Sequence, residues 1–459
     1  MFYHDADRLI PCVSDNLLVV GAQAIQNAKL AYITDTGKYI KLNDDALKIL
    51  ELCDGRHTVR EVLDALRQEY TNDLEVREVA VNFIIQLEKA GIIQFLERKR
   101  KRPRKINPEV KLSNPIQHIY IEVTNACNLK CKHCYNDSGV KLKRELTTEE
   151  IKKILDECAK LNVLNIVLTG GEPLLRKDLF KVIEYARKKP MSVTLFTNGT
   201  LVDEKIAHKL KQQGVLRILV SLDGASERTH DAFRGVKGAF KKTINAIKLL
   251  KNEGLHVTVN VCINKFNKGE IPQLLKLIKR LDVNDYILGP LYSAGRAEGK
   301  IEELGISIEE YRKILTQIRV LEKRIFGMEK IIVTESRLGH CGIGTRSLTI
   351  KADGTIIPCV SASSDRFSLG NIRKESIEHV WNNSRLLNEL REIDLRNAQK
   401  CGCCEHFSYC RGGCRLNAYQ MFHDLFSPDP YACAYYSYVA QDIVIKPLDE
   451  VGEVKFEVR

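Results

Sequence analysis

Cys127, Cys131 and Cys134 are separated by three and two residues in a chain of 459 residues. Thiolates are the usual protein ligands of iron–sulfur clusters. A trio leaves the fourth iron of a [4Fe–4S] cube without a protein ligand, and an open iron can bind a substrate. A zinc site and three free thiols are the alternatives. Structural zinc takes four closed ligands, and His133, between two of the cysteines, would compete for the same space. The chain has 15 cysteines, and in a reducing compartment such density points to metal or catalysis rather than disulfides. Eleven fall in two groups, the trio and a set of eight from Cys341 to Cys433. Cys12, Cys53, Cys158 and Cys262 are scattered. Cys158 and Cys262 sit inside apolar helix or strand patterns, as small buried hydrophobes do.

Further residues have the composition of ligand-binding turns. Gly170-Gly171-Glu172-Pro173 joins two glycines, which let a backbone approach a ligand closely, to a carboxylate that can accept hydrogen bonds from an ammonium. Thr197-Asn198-Gly199, Ser221-Leu222-Asp223-Gly224 with Asp231 and Arg234-Gly235, and Gly295-Arg296-Ala297 follow. Their placement makes them more than turns. Apolar, β-branched strands are expected at Ile116–Val123, Val163–Leu168, Val193–Phe196, Leu216–Leu222, Val257–Ile263 and Tyr286–Leu288. Helical patterns such as Thr148–Leu161 and Leu175–Lys188 lie between them. The turn motifs fall at strand ends. Six such units imply an α/β fold with a parallel sheet, open or curled into a partial (β/α)6 barrel. In β/α barrels the chemistry lies at the C-terminal strand ends.

Residues 1–97 read as a separate module. It has a hairpin, Leu30–Thr34 with Tyr39–Leu42, turning at Asp35-Thr36-Gly37. A helix capped within Asn43-Asp44-Asp45 follows, then one opened by Thr58 and one over roughly Glu75–Lys89, closed by Gly91. This is a winged-helix-like unit. A basic run from Arg98 to Lys105, containing Pro103, marks a linker over 98–115. The β/α region spans 116–325 and a cysteine-rich domain 326–459. Within them, residues 301–340 read as largely helical, and the stretch around Asp353-Gly354 as strand–turn–strand. The tail has little apolar surface to bury, so metal is expected to hold it.

Net charge is +12, with 44% apolar and 28% charged residues, as in ordinary soluble globular proteins. One basic run without interleaved aromatics argues against nucleic acid as a partner. No apolar stretch is long enough for a membrane span, and the N-terminus lacks a secretory pattern. The expected location is cytoplasmic, with no membrane partner.

The cysteine trio followed by Tyr135, at the mouth of a β/α run, resembles the signature of the radical S-adenosylmethionine (SAM) superfamily. The resemblance implies that SAM chelates the open iron through its amino and carboxylate groups. An electron from the reduced cluster then breaks a C–S bond, giving methionine and a 5′-deoxyadenosyl radical that abstracts hydrogen from the substrate. Gly170, Gly171 and Glu172 resemble the family motif that holds the SAM amino group. Stretches like those at the later strand ends contact SAM elsewhere in the family, which nominates Ser221 and Arg234 as further SAM contacts.

The C-terminal cysteines resemble the SPASM domain of radical SAM peptide-modifying enzymes; a pair of zinc ribbons is the alternative. The resemblance implies two auxiliary [4Fe–4S] clusters, one using Cys341, Cys359 and Cys414, the other Cys401, Cys404, Cys410 and Cys433. Three cubes with one SAM-bound corner need eleven protein ligands, and the chain has eleven grouped cysteines. The eleventh, Cys403, would reach the other cluster or ligate nothing. Relatives often take a fourth ligand just upstream of the Cys341 position, but residues 334–340 contain no cysteine. The first auxiliary cluster would then keep an open iron for a substrate thiolate. Sulfatase-maturing relatives carry an Asp after the cysteine matching Cys359, where this chain has Val360. The pyrroloquinoline quinone cross-linking relative has an Asp at the Cys410 position. Both departures count against those two reactions.

The N-terminal module resembles the PqqD-like peptide chaperone of the pyrroloquinoline quinone pathway, the RiPP recognition element, which binds a precursor-peptide leader by strand addition. Tyr39–Leu42 and the third helix would flank the groove. The expectation is a peptide maturase that installs a thioether or carbon–carbon cross-link, reduced by a flavodoxin or ferredoxin-type protein. Two rivals stand beside it: a SPASM enzyme acting on a small molecule or tetrapyrrole, and an iron–sulfur winged-helix DNA-binding regulator. No side chain stands out as the general base.

Overall fold

The computed structural model describes residues 7–14, 17–22, 28–36, 39–67, 73–104, 106, 116–328, 331–334, 342–362, 364–439 and 442–446. The chain divides into two compact units, one built mainly from Met1–Pro115 and one from Ile116–Val333 with Arg337–Ile445.

In the first unit, β2 (Leu17–Ala22), β3 (Ala28–Ile33) and β4 (Tyr39–Leu42) form an antiparallel sheet with β3 in the centre. The expected hairpin is present, with Tyr32 opposite Tyr39. The third strand, β2, and a ribbon pairing β1 (Ile10–Val13) with β5 (Ile93–Leu96) are additions to the expectation. Helices α1 (Asp44–Leu52), α2 (Val59–Arg67) and α3 (Asp73–Lys89) follow the hairpin. Asn43 caps α1 by accepting from the Ala46 N–H at 2.7 Å. Thr58 and Glu61 cap α2 reciprocally. Ile49, Leu50, Val62, Phe83, Ile84 and Leu87 pack into one core. The basic run lies along this unit rather than hanging free. The Arg100 N–H donates to the Gly55 carbonyl at 2.8 Å, and the Arg104 N–H to that of Asp54 at 2.9 Å.

The second unit is organised by a nine-stranded sheet. Six strands lie side by side in chain order, all parallel: β6 (His118–Thr124), β7 (Asn165–Gly170), β8 (Ser192–Thr197), β9 (Arg217–Ser221), β10 (Val257–Ile263) and β11 (Asp285–Pro290). Helices α4 (Thr148–Lys160), α5 (Leu179–Arg187), α6 (Glu204–Gln212), α7 (Glu227–Arg234), α8 (Ala239–Asn252) and α9 (Ile271–Arg280) fill the crossovers. Their apolar stripes, such as Ile151, Ile154, Leu155 and Cys158 of α4, are buried. The cysteine-rich segment continues the same sheet: β12 (Ser347–Ile350) pairs parallel with β6, and β13 (Thr355–Ile357) turns back on β12 at Asp353-Gly354. After the short β14 (Gly370–Asn371) the chain is helical through Val439, with α10 (Arg415–Phe422) and α11 (Pro430–Val439) carrying the last cysteines; a final strand over Ile443–Lys446 pairs with one over Ile331–Thr334, which interrupts the stretch 301–340 expected to be largely helical. Among the described residues no helix is long and apolar enough to cross a membrane.

Candidate active site

The register between β6 and β7 shifts between Glu122 and Thr124, next to the first cysteine. Such a bulge re-aims a chain where it leaves a sheet. The loop that follows folds on itself. The Cys127 N–H donates to the Gly139 carbonyl at 2.9 Å, and Glu145 accepts from the Asn125 N–H at 2.8 Å. Three later strand ends converge on this loop. After β7, the Gly171 and Glu172 N–H groups donate to the Thr124 and Ala126 carbonyls, both at 2.8 Å. After β9, the Phe233 and Arg234 carbonyls accept from the Lys132 and Lys130 N–H groups at 3.0 and 3.1 Å. After β11, Arg296 donates through Nε to the Cys131 carbonyl and through Nη1 to the Ser138 carbonyl, each at 2.9 Å.

The glycines are explained by this convergence. A Cβ on Gly171 would lie 2.2 Å from the Ala126 carbonyl oxygen, and one on Gly170, at φ +133°, 2.3 Å from that of Thr124. Gly171→Ala is therefore expected to push the cysteine loop off its seat. Reconstituted protein should lose most of its SAM-responsive cluster signal while α4 and α5 stay folded by circular dichroism; an unchanged signal would show that the close approach is not needed.

Glu172 is fully buried. Its carboxylate accepts from Thr197 Oγ1 and the Asn198 N–H, both at 2.8 Å, and from the Leu174 N–H at 3.1 Å. A carboxylate has about four acceptor positions, so one remains for an ammonium. Asn198 passes the connection on, donating to Asn128 Oδ1 at 3.0 Å within the cysteine loop. Burial raises the Glu172 pKa, and the three donors oppose that rise. Ser221 stands at the end of β9, half-buried, opposite Asn260 in the register.

Arg234 faces the cysteines. Its Nη1 lies 3.6 Å from Cys131 Sγ and its Nη2 2.6 Å from Asp223 Oδ2. The sequence motif contained Asp223 but did not single it out. It is fully buried, and its Oδ1 accepts from the Cys262 N–H at 2.8 Å. Burial works against its charge, and the Arg234 guanidinium, helped by the Cys262 N–H, more than offsets that, holding its pKa below the usual value. The His133 ring stacks on Phe233, with centroids 4.2 Å apart, and burial pushes its pKa down to about 3.

Among the described residues each thiol of the trio has one N–H donor: Leu129 N to Cys127 at 3.5 Å, Arg234 to Cys131, and Ser138 N to Cys134 at 3.3 Å. Cys127 lies within electrostatic reach of both other thiols, and burial pushes its pKa up to about 11. Thiolates crowded in an apolar pocket with donors aimed at sulfur need added positive charge, which iron supplies. The residues present fit a cluster.

In the C-terminal segment Cys401, Cys404, Cys410 and Cys433 line a single cavity, together with His406 and Tyr436. Cys403 is exposed. Cys359 follows β13, and Cys414 caps α10. Cys341 lies outside the described residues. Asp429, 1% exposed, organises the region: Oδ2 accepts from the Cys414 N–H at 3.0 Å, and Oδ1 from Asn417 Nδ2 at 2.7 Å and the Tyr431 N–H at 3.0 Å.

An iron–sulfur enzyme built on a β/α sheet, with a cysteine-lined second site, is the class these features define. The sequence matches the radical SAM superfamily over residues 121–278, the SPASM iron–sulfur cluster-binding domain over 341–405, and coenzyme PQQ synthesis protein D over 31–93. It is 32% identical over 352 residues to the AdoMet-dependent heme synthase of Methanosarcina barkeri, covering 71% of this chain and 98% of that one. It is 31% identical over 319 residues to the mycofactocin maturase MftC of Mycolicibacterium smegmatis, covering 67% and 80%. In structure it is similar to Streptococcus suis SuiB bound to its precursor peptide SuiA, with a TM-score of 0.66 at 15% identity over 92% of this chain and 99% of that one. The chain belongs to the radical SAM superfamily. It is a radical SAM/SPASM enzyme that uses a [4Fe–4S] cluster with SAM, and auxiliary iron–sulfur clusters. The regulator reading falls away.

Proposed function

We propose that this enzyme matures a ribosomally made precursor peptide by installing a thioether or carbon–carbon cross-link. The observation that carries the reading is the first unit. It matches coenzyme PQQ synthesis protein D, and its β2–β3–β4 sheet has β4 at an edge, where an extended leader can add as a further strand. MftC is named a maturase and SuiB is bound to a precursor peptide, which agrees with this reading.

Bound at the trio, the cluster with SAM supplies a 5′-deoxyadenosyl radical. The chain's residues position it: Gly170 and Gly171 let the backbone close in, Glu172 offers its remaining acceptor to the SAM amino group, and Ser221 stands at the neighbouring strand end. Cys401, Cys404, Cys410 and Cys433 would hold one auxiliary cluster, and Cys359 and Cys414, with Cys341, the other. A flavodoxin or ferredoxin-type protein would deliver the electron, in the cytoplasm.

Proline scanning of β4 tests the reading. Neighbouring N–H groups on a strand point to opposite sides, so of Ile40→Pro and Lys41→Pro one removes an outward donor and spares the pairing with β3. That variant is expected to lose about tenfold or more in leader affinity, measured by fluorescence anisotropy with a precursor peptide encoded near the enzyme. Its peptide-free formation of 5′-deoxyadenosine should stay unchanged. Equal affinity in both variants and the wild type would remove strand addition. A second reading, modification of a tetrapyrrole, is favoured by the similarity to heme synthase. Turnover of an iron porphyrin precursor with no change in peptide mass would select it. That synthase is matched over 98% of its length by 71% of this chain, so this chain carries additional sequence.

A further inference from the structure

We propose that Arg234 is a positioning residue that sets the reduction potential of the cluster held by Cys127, Cys131 and Cys134. The inference rests on the reading that this trio holds the cluster.

A guanidinium that served only to neutralise Asp223 would present two nitrogens to the carboxylate, the favoured fork geometry. Here the fork is split. Nη2 meets Asp223 Oδ2 at 2.6 Å, Nη1 meets Cys131 Sγ at 3.6 Å, and Nε has no hydrogen-bond partner among the described residues. The guanidinium thus bridges the carboxylate and a cluster-ligand sulfur instead of closing a fork on the carboxylate.

The backbone enforces this choice. Arg234 is the last residue of α7, and its carbonyl and that of Phe233 accept from Lys130 and Lys132, the two residues flanking Cys131. Gly235, at φ +74°, lets the strands of chain close up; a Cβ there would lie 2.4 Å from the Lys130 carbonyl oxygen. Asp223 is fixed in turn by the Cys262 N–H on Oδ1, and its own N–H donates to His230 Nδ1 at 3.1 Å. His133 Nε2 also lies 3.6 Å from Asp223 Oδ2, so the carboxylate sits between the Arg234 guanidinium and a neighbour of the cysteine trio.

A positive charge and an N–H donor at a ligand sulfur stabilise the reduced cluster, which carries one more electron, relative to the oxidised one. The effect is stronger in a water-poor site. Arg234 should therefore raise the potential, making the cluster easier to reduce, and Asp223 should temper that rise.

The test is an EPR-monitored redox titration of full-length, anaerobically reconstituted enzyme. The signal that changes on adding SAM identifies this cluster among the others. Arg234→Gln is expected to lower its midpoint potential, so that the reduced-to-oxidised ratio at a fixed applied potential falls about tenfold. Arg234→Lys, which keeps the charge on a different stem, should recover part of that loss. Asp223→Asn should shift the midpoint the opposite way. A purely structural role would change iron content or melting temperature in these variants without opposite shifts in potential. Should Arg234→Gln retain no iron, the Lys and Asp223→Asn variants decide the sign. An unshifted midpoint in the variants that load iron overturns the proposal. Wild-type enzyme with no SAM-sensitive signal would instead overturn the trio assignment.

Discussion

Replacing Cys127, Cys131 and Cys134 together by alanine is expected to abolish 5′-deoxyadenosine formation and to remove about a third of the iron, one cube in three. The loss should be confined to the SAM-sensitive EPR signal, because the C-terminal cavity has its own four cysteines. The comparison is Cys158→Ala in α4, whose thiol is fully buried among Ile151, Ile154 and Leu155. That substitution removes one sulfur from an apolar core, costs on the order of 1 kcal/mol, and should leave iron and turnover untouched. Iron and sulfide assays with product quantification read both. Turnover that survives the triple substitution, or zinc in place of iron and sulfide in oxygen-free protein, would show that the site is not a cluster site.

The strands that position this chemistry were readable because their buried faces leave a continuous apolar pattern. The expected Val257–Ile263 matches β10 to the residue, and α4 differs by one position at its end. Pairing was less readable. The ribbon of β1 with β5 joins segments about eighty residues apart, Ile10 opposite Leu96. In β2, Leu-Leu-Val-Val-Gly-Ala has no alternation, so periodicity could not tell a strand from a short buried run. The parallel pairing of β12 with β6, which carries the cysteine-rich segment into the main sheet, has no local trace at all.

The same division runs through the site. The residue types and spacings that name the cysteines and the Gly-Gly-Glu-Pro turn are local, and so were visible. Which atoms those side chains meet is not local. Glu172 meets donors 25 and 26 residues away, at Thr197 and Asn198. Arg234 meets a sulfur 103 residues away. Arg296, grouped with the ligand-binding turns, spends its guanidinium on backbone carbonyls of the cysteine loop. Asp429 had no motif to announce it. Its only sequence cue is Pro428 and Pro430 on either side, which limit the backbone around a residue whose side chain must serve three donors.

Asp429→Ala is expected to empty the auxiliary sites while sparing the first. The substitution strips acceptors from the Cys414 N–H, Asn417 Nδ2 and the Tyr431 N–H, all in a region where Asp429 itself is 1% exposed. Unpaired buried donors cost about 1–3 kcal/mol each, so the local loss is on the order of 3–5 kcal/mol. The short helices around the C-terminal cysteines have little apolar core with which to absorb it. Cys433 shares the consequence, because its N–H donates to the Asp429 carbonyl at 2.9 Å and α11 begins at Pro430. Iron should fall toward the content of one cube, with SAM-dependent 5′-deoxyadenosine formation still measurable and substrate conversion lost. Asp429→Asn should fall between, since its remaining oxygen can still serve Asn417 and Tyr431 while the amide nitrogen faces the Cys414 N–H. Full iron content in the alanine variant would mean that the cysteines hold their clusters without this carboxylate.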